Sequence, residues 1–155
     1  MAVFFKSPDA WVGDCIPFWE NGLYYVFYLH DPRIRKGEYE EETTWHLVTT
    51  RDCLNFEYHG TAIAKGAEDR PNKNIFYTGS VIKGTNGIYY AFYTAFNENY
   101  PFEGQSMQSV MAACGTDPFH LETEEPFILR SDDVIYERFD WRDPFVFWNN
   151  EEKCY

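Results

Sequence analysis

The chain has 155 residues, and Phe, Tyr and Trp make up 20% of them. Disordered segments are poor in aromatic residues, whereas β-strands favour them, so this composition excludes a disordered chain and indicates a strand-rich protein. Acidic residues outnumber basic ones by 25 to 13, and the net charge of −12 repels nucleic-acid phosphates and anionic membranes. We therefore expect neither nucleic acid nor a membrane as a partner.

The chain also lacks the usual signals for export and for metal binding. No basic region followed by an apolar stretch precedes Trp11, and no apolar run approaches the ~18 residues of a membrane span, so we expect a cytoplasmic protein. The cysteines are too far apart to form a paired zinc-ligand motif, so we expect no metal site. They are Cys15, Cys53, Cys114 and Cys154.

The first predicted unit contains several short strands in succession. An apolar run over residues 13–19 is followed by Asn21-Gly22 and by an aromatic run over residues 23–28. Asn-Gly between two such runs is a strong signal for a β-hairpin. A further apolar run, residues 45–50, predicts another strand of the same unit.

The second unit repeats the first one 65 residues later. The string NGLYYVFY at residues 21–28 recurs as NGIYYAFY at residues 86–93, and Asp52 is matched in the same register by Asp117. The segment at residues 109–114 then corresponds to the later strand of the first unit. Two independent matches at one offset indicate a tandem structural repeat.

A third unit begins near the end of the chain, where residues 142–148 align with residues 13–19 and 78–84 and a turn follows at residues 149–152. Tandem units of about four antiparallel strands are typical of β-propeller blades, whereas the repeats of a β-solenoid are shorter. The sequence predicts an all-β fold with blade 1 at about residues 10–74, blade 2 at about 75–139 and the start of blade 3 at about 140–155. With a period of 65 residues, this is about 2.4 blades.

The repeat predicts a site that contains two carboxylates. Asp14 and Asp143 occupy equivalent positions on the first strand of their units, and Ser80 lies at the corresponding place in the unit between them. The first strands of propeller blades surround a common axis, so these side chains are expected at the same channel mouth. Carboxylates beside exposed aromatic rings suit glycoside chemistry, in which an acid acts as nucleophile, proton donor or hydroxyl acceptor.

Three short motifs resemble those of glycoside hydrolase family 32, the five-bladed-propeller family of invertases, levanases and inulinases. Residues 11–14, Trp-Val-Gly-Asp, resemble the family's Trp-Met-Asn-Asp motif. Residues 77–80, Tyr-Thr-Gly-Ser, resemble its Phe-Ser-Gly-Ser motif, and residues 142–144, Arg-Asp-Pro, match its Arg-Asp-Pro motif. Trp45 with residues 52–56 is similar to a further segment, so the resemblance covers essentially the whole chain.

The resemblance implies a retaining hydrolase of β-fructosides such as sucrose, fructo-oligosaccharides or fructans, with no cofactor. It assigns Asp14 as the nucleophile and Asp143 as the stabiliser of the transition state. The acid/base of the family is a glutamate in a Glu-Cys motif, which we expect beyond Tyr155. The substrate-binding residues that the resemblance implies are Trp11, Trp45, Tyr77, Ser80 and Arg142.

Departures from the family motifs leave two other functions open. Gly13, Cys15 and Leu29 stand where the family usually has Asn, Pro and a substrate-contacting Gln. The first alternative is an inverting propeller glycosidase of the arabinan- and xylan-cleaving type, and the second is a carbohydrate-binding module without catalysis. Incomplete blades expose strand edges and aromatic faces, so we also expect self-association of a 155-residue species.

Overall fold

The computed structural model describes residues 5–32, 43–75, 77–98, 107–132 and 134–155. In this part of the chain, eight strands form two four-stranded antiparallel sheets, there is no α-helix, and no helix could therefore span a membrane. The first sheet contains β1 (Trp11–Glu20), β2 (Leu23–Asp31), β3 (Thr44–Thr50) and β4 (Glu57–Ile63). The second contains β5 (Gly79–Lys83), β6 (Tyr89–Phe96), β7 (Gln108–Gly115) and β8 (Glu122–Leu129).

The strands of each sheet follow one another in chain order, as in a propeller blade. β1 and β5 lie at the ends of their sheets and contact each other. The first strands of the two units are therefore neighbours, as the repeat predicted. The prediction of an all-β fold with blades of four antiparallel strands is confirmed.

The two Asn-Gly pairs lie in connections of different length. Asn21 and Gly22 both have positive φ, 51° and 76°, and join β1 to β2 in the tight two-residue turn that the sequence predicted. Asn86-Gly87 instead belongs to a longer loop between β5 and β6. There the N–H of Gly84 donates to the carbonyl of Ile88, so the loop between the strands comprises residues 84–88.

The hydrophobic core lies between the two sheets. Alternate residues of each strand point into it because successive side chains of a strand face opposite sides of the sheet. The largest contributions from the first sheet are Phe27, Leu29, Trp45, Leu47 and Ile63, and those from the second include Tyr93 and Met111. This shared core fixes the position of β1 relative to β5.

The third unit packs beside the second sheet without forming a regular strand. Residues 141–148 have no regular secondary structure, and the following turn is closed by a β-bridge between Asn149 and Cys154. The N–H of Val146 donates to the hydroxyl of Ser80 in β5, at 2.9 Å. This hydrogen bond holds the start of the third unit against the first strand of the second.

Candidate active site

Asp14 lies at an irregularity in β1. Gly13 pairs with Leu29 and Cys15 with Tyr28, so Asp14 is the additional residue of a β-bulge. A bulge interrupts the alternation of side chains and can redirect one of them, which explains why Asp14 and Cys15 are both exposed. Burial and the charge of Asp14 raise the pKa of the Cys15 thiol. The bulge therefore presents a carboxylate to solvent from β1, at the edge of the first sheet.

Trp11 starts the same strand and is also exposed. Its side chain keeps 60% of its surface accessible, which leaves an aromatic face available near the N-terminal end of β1. Aromatic faces pack well against the C–H surfaces of sugar rings. Its placement is compatible with the predicted contact to a substrate.

Asp143 is fastened to the second sheet by two hydrogen bonds. Its carboxylate Oδ1 accepts the backbone N–H of Thr78, at 3.2 Å, and its own N–H donates to the hydroxyl of Thr94, at 2.8 Å. The backbone of Asp143 is in the left-handed region, with φ of 60°. This conformation costs an L-residue about 1–2 kcal/mol, and the two hydrogen bonds offset that cost.

Arg142 lies between two carboxylates and an aromatic ring. Its guanidinium binds Asp140, is 3.7 Å from Oδ2 of Asp143, and lies 5.4 Å from the centre of the Tyr77 ring. The Asp140 carboxylate beside it is the main reason that the pKa of Arg142 is raised, so its positive charge is permanent. A permanent cation therefore lies beside the Asp143 carboxylate and over the ring of Tyr77.

The segment at residues 77–80 packs closely against β6 and against the third unit. A Cβ on Gly79 would overlap the carbonyl oxygen of Phe92 and come within 2.9 Å of the Tyr93 Cα, so only glycine permits this close approach to β6. Ser80 is buried, and its hydroxyl already accepts the Val146 N–H. The contact of Ser80 that the structure describes is thus with the third unit of the chain.

Trp45 requires a correction. We predicted that it contacts substrate, but its side chain has 0% of its surface exposed and packs in the core near Phe27 and Tyr93. A side chain without accessible surface cannot touch a sugar. Its indole N–H donates to the carbonyl of Tyr77, at 3.3 Å, so it contacts the backbone of a predicted site residue from within the core.

The predicted site residues form one connected group and one separate pair. Tyr77, Arg142 and Asp143 are linked through the contacts described above, Trp45 supports Tyr77, and Ser80 contacts Val146 of the third unit. Trp11 and Asp14 lie together on β1, the strand that contacts β5. Within the described ranges no cluster of three or more metal-binding side chains occurs.

The sequence analysis missed two residues of the connected group, Thr78 and Thr94. Threonine is common in β-strands, so neither residue stands out in the sequence. The single available signal was the placement of Thr78 inside the Tyr-Thr-Gly-Ser motif.

The comparison with protein families gives one match, which covers nearly the whole chain. Residues 4–155 match the N-terminal domain of glycosyl hydrolases family 32. No curated protein sequence matches the chain.

Solved structures with the same fold include several sugar-cleaving enzymes. A fructofuranosidase from Schwanniomyces occidentalis complexed with fructose superposes with a TM-score of 0.72 at 17% identity, over 97% of this chain and 30% of that one. Fructan 1-exohydrolase IIa from Cichorium intybus gives 0.67 at 22% identity, over 90% and 25%. An α-L-arabinofuranosidase from Clostridium thermocellum gives 0.62 at 17%, over 89% and 44%. The chain therefore spans less than a third of the first two enzymes.

Proposed function

Because the chain belongs to glycoside hydrolase family 32, we propose that it carries the nucleophile and the transition-state stabiliser of a retaining hydrolase of β-fructosides. The substrate class is sucrose, fructo-oligosaccharides or fructans. Two observations support this proposal: Asp14 is exposed at a bulge in β1, and Asp143 is hydrogen-bonded to Thr78 and to Thr94 of β6.

In this proposal Asp14 performs the bond-forming step. One carboxylate oxygen attacks the anomeric carbon of a terminal β-fructosyl unit while the bond to the leaving oxygen breaks. The family assigns protonation of that oxygen to a glutamate, which we expect outside residues 1–155. Water then attacks the fructosyl-enzyme ester and releases fructose with retention of configuration.

Asp143 stabilises the charge that develops on the sugar ring. Hydrogen bonds from sugar hydroxyls to its carboxylate strengthen as the ring becomes oxocarbenium-like, and strong stabilisation requires that the acceptor be already oriented. Its hydrogen bond from Thr78 supplies such orientation, and the cation of Arg142 lies 3.7 Å from its second oxygen. Trp11 would pack against a sugar face.

The test is an assay of the natural protein that contains this chain. We expect fructose release from sucrose or inulin, and no pentose release from nitrophenyl arabinofuranosides or xylosides. Activity on pentosides alone would favour the inverting type of propeller glycosidase. Sugar binding without turnover would favour a carbohydrate-binding module.

A matched pair of variants connects the activity to the assigned nucleophile. Asp14→Asn should reduce kcat by a factor on the order of 10⁴ or more, as removal of a nucleophile does. Asp69→Asn changes an exposed aspartate that is not among the predicted site residues, and it should leave kcat unchanged. Equal activity of the two variants would exclude Asp14 as the nucleophile.

A further inference from the structure

Thr94 in β6 is the residue through which Asp143 is attached to the second sheet. It is fully buried, with 0% of its surface exposed, and it lies outside the three family motifs. Its hydroxyl donates to the carbonyl of Thr78, at 3.2 Å, and accepts the N–H of Asp143, at 2.8 Å. The one donor of the hydroxyl and one of its two acceptor positions are thus in use.

These contacts close a ring of hydrogen bonds. The Thr94 hydroxyl donates to Thr78, the Thr78 N–H donates to the Asp143 carboxylate, and the Asp143 N–H donates to Thr94. The Asp143 N–H, the Thr94 hydroxyl and the Thr78 carbonyl form a continuous chain of two hydrogen bonds, and consecutive hydrogen bonds of this kind polarise and strengthen each other. The orientation of the carboxylate is therefore coupled to the hydroxyl of a residue that does not reach the solvent.

The left-handed backbone of Asp143 makes this coupling necessary. A non-glycine residue at φ of 60° relaxes towards negative φ unless its surroundings hold it. Without the Thr94 hydroxyl, the Asp143 N–H loses its acceptor, and rotation of the backbone would turn the carboxylate away from Thr78. A misplacement of about 1 Å at a reacting centre is enough to cost about 10²-fold in rate.

We propose that Thr94 is a positioning residue, whose hydroxyl sets the orientation of the Asp143 carboxylate for stabilisation of the transition state. This inference rests on the proposed function, in which Asp143 performs that role. Because Thr94 has no accessible surface, it acts through Asp143 and does not touch substrate.

The test compares three variants of the natural protein that contains this chain. Thr94→Val keeps the shape and removes the hydroxyl, Thr94→Ser keeps the hydroxyl, and Thr49→Val removes another buried hydroxyl, which contacts His59 in the first sheet. On sucrose or inulin we expect Thr94→Val to lower kcat about 30- to 100-fold with a change in KM below about 3-fold. Thr94→Ser and Thr49→Val should stay within about 3-fold of the unchanged protein in kcat.

A purely structural role would give a different pattern. Thr94→Val and Thr49→Val would then both lower the folded fraction while kcat per folded molecule stayed constant, and that result would overturn the proposal. If Thr94→Val does not fold, Thr94→Ser still tests the proposal. A loss of kcat above about 10-fold in this variant, which keeps the hydroxyl, contradicts the assignment of the role to that group.

Amide hydrogen exchange separates this inference from the proposed function. The Asp143 amide should exchange at least about 10-fold faster in Thr94→Val than in Thr94→Ser, because only the serine keeps its acceptor. Absence of any glycosidase activity in the unchanged protein would reject the proposed function and the catalytic part of this inference together. Equal exchange in the two variants would overturn the role of Thr94 alone.

Discussion

The indole N–H of Trp45 donates a hydrogen bond to the backbone carbonyl of Tyr77, 3.3 Å away, across the boundary between the two sheets. Trp45 is in β3 of the first sheet, and Tyr77 begins the segment that holds Asp143. The core of the first unit thus contacts the site of the second directly. The stability of the fold and the geometry of the site are linked at this point.

Replacement of Trp45 by Phe should affect stability more than substrate binding. The variant loses the hydrogen bond to Tyr77 and leaves a cavity, so we expect the free energy of unfolding to fall by about 2–3 kcal/mol. Urea unfolding measures this change. Trp11→Phe, on an exposed residue, should change the free energy of unfolding by less than about 0.5 kcal/mol and should raise KM instead. A reversed pattern would restore Trp45 as a substrate-binding residue.

A buried histidine in the first sheet should make the protein sensitive to acid. His46 is 8% exposed and stacks on His30 with ring centres 3.8 Å apart, while its nitrogens contact the hydroxyls of Tyr58 and Thr61. Burial, and then the charge of His30, lower the pKa of His46 to about 4, although the Asp9 carboxylate acts in the opposite direction. The folded protein therefore resists protonation at this position.

The expected pH dependence follows from the difference between the two states. Below pH 6.5 the unfolded chain binds a proton at His46 before the folded one does, so the free energy of unfolding decreases until the pH reaches about 4. Between pH 7 and pH 5 this histidine should account for a loss of about 2 kcal/mol. Urea unfolding measures this change. In His46→Asn the free energy of unfolding should fall by about 2 kcal/mol less between pH 7 and pH 5 than in the unchanged protein, whereas His120→Asn, on an exposed histidine, should show the full decrease. Identical pH profiles for all three proteins would contradict the account.

The charge and the shape of Arg142 should both matter for activity. Arg142→Lys keeps the positive charge but loses the planar group that lies over Tyr77 and the contact to the second oxygen of Asp143. We expect kcat/KM on sucrose or inulin to fall about 10-fold. Arg51→Lys, whose side chain contacts the turn carbonyl of Gly22, is the matched control and should have no effect. A lysine variant with full activity would show that charge alone is sufficient.

The isolated 155-residue polypeptide should associate with itself. Large apolar side chains of the second and third units are exposed, among them Val134 at 87% and Phe145 at 81%. Apolar surface of this extent promotes association in water. Light scattering should give a mass above 18.4 kDa, and Phe145→Ser with Val134→Ser should lower it. A monomer at micromolar concentration would contradict this expectation.

The sequence was sufficient to predict the strand-rich fold, because strands and tight turns depend on local rules. Alternating aromatic residues and Asn21-Gly22 determine strands and a tight turn directly. The repeat aligned residues 142–148 with the first strand of the second unit at an offset of 64 residues, and the structure shows Val146 in contact with Ser80 of that strand. The repeat thus relates segments that are far apart in the sequence.

Other features depend on packing between sheets, which a single sequence does not reveal. Trp11 and Trp45 look equally suitable for sugar contact, and only the neighbouring sheet decides that one is exposed and the other buried. Thr94 has no feature in the sequence that distinguishes it from other strand residues, and its role depends on the hydrogen bond that it accepts from Asp143. The bulge at Asp14 likewise arises from the pairing with β2 and has no signature in the motif itself.

The most direct test of the central claim is the stereochemistry of fructosyl transfer to methanol. If Asp14 forms a covalent intermediate, the natural protein that contains this chain should convert sucrose and methanol into methyl β-D-fructofuranoside, identified by NMR, and Asp14→Asn should yield none. Formation of the α-anomer, or of the β-anomer at an undiminished rate in Asp14→Asn, would contradict a retaining mechanism with Asp14 as its nucleophile.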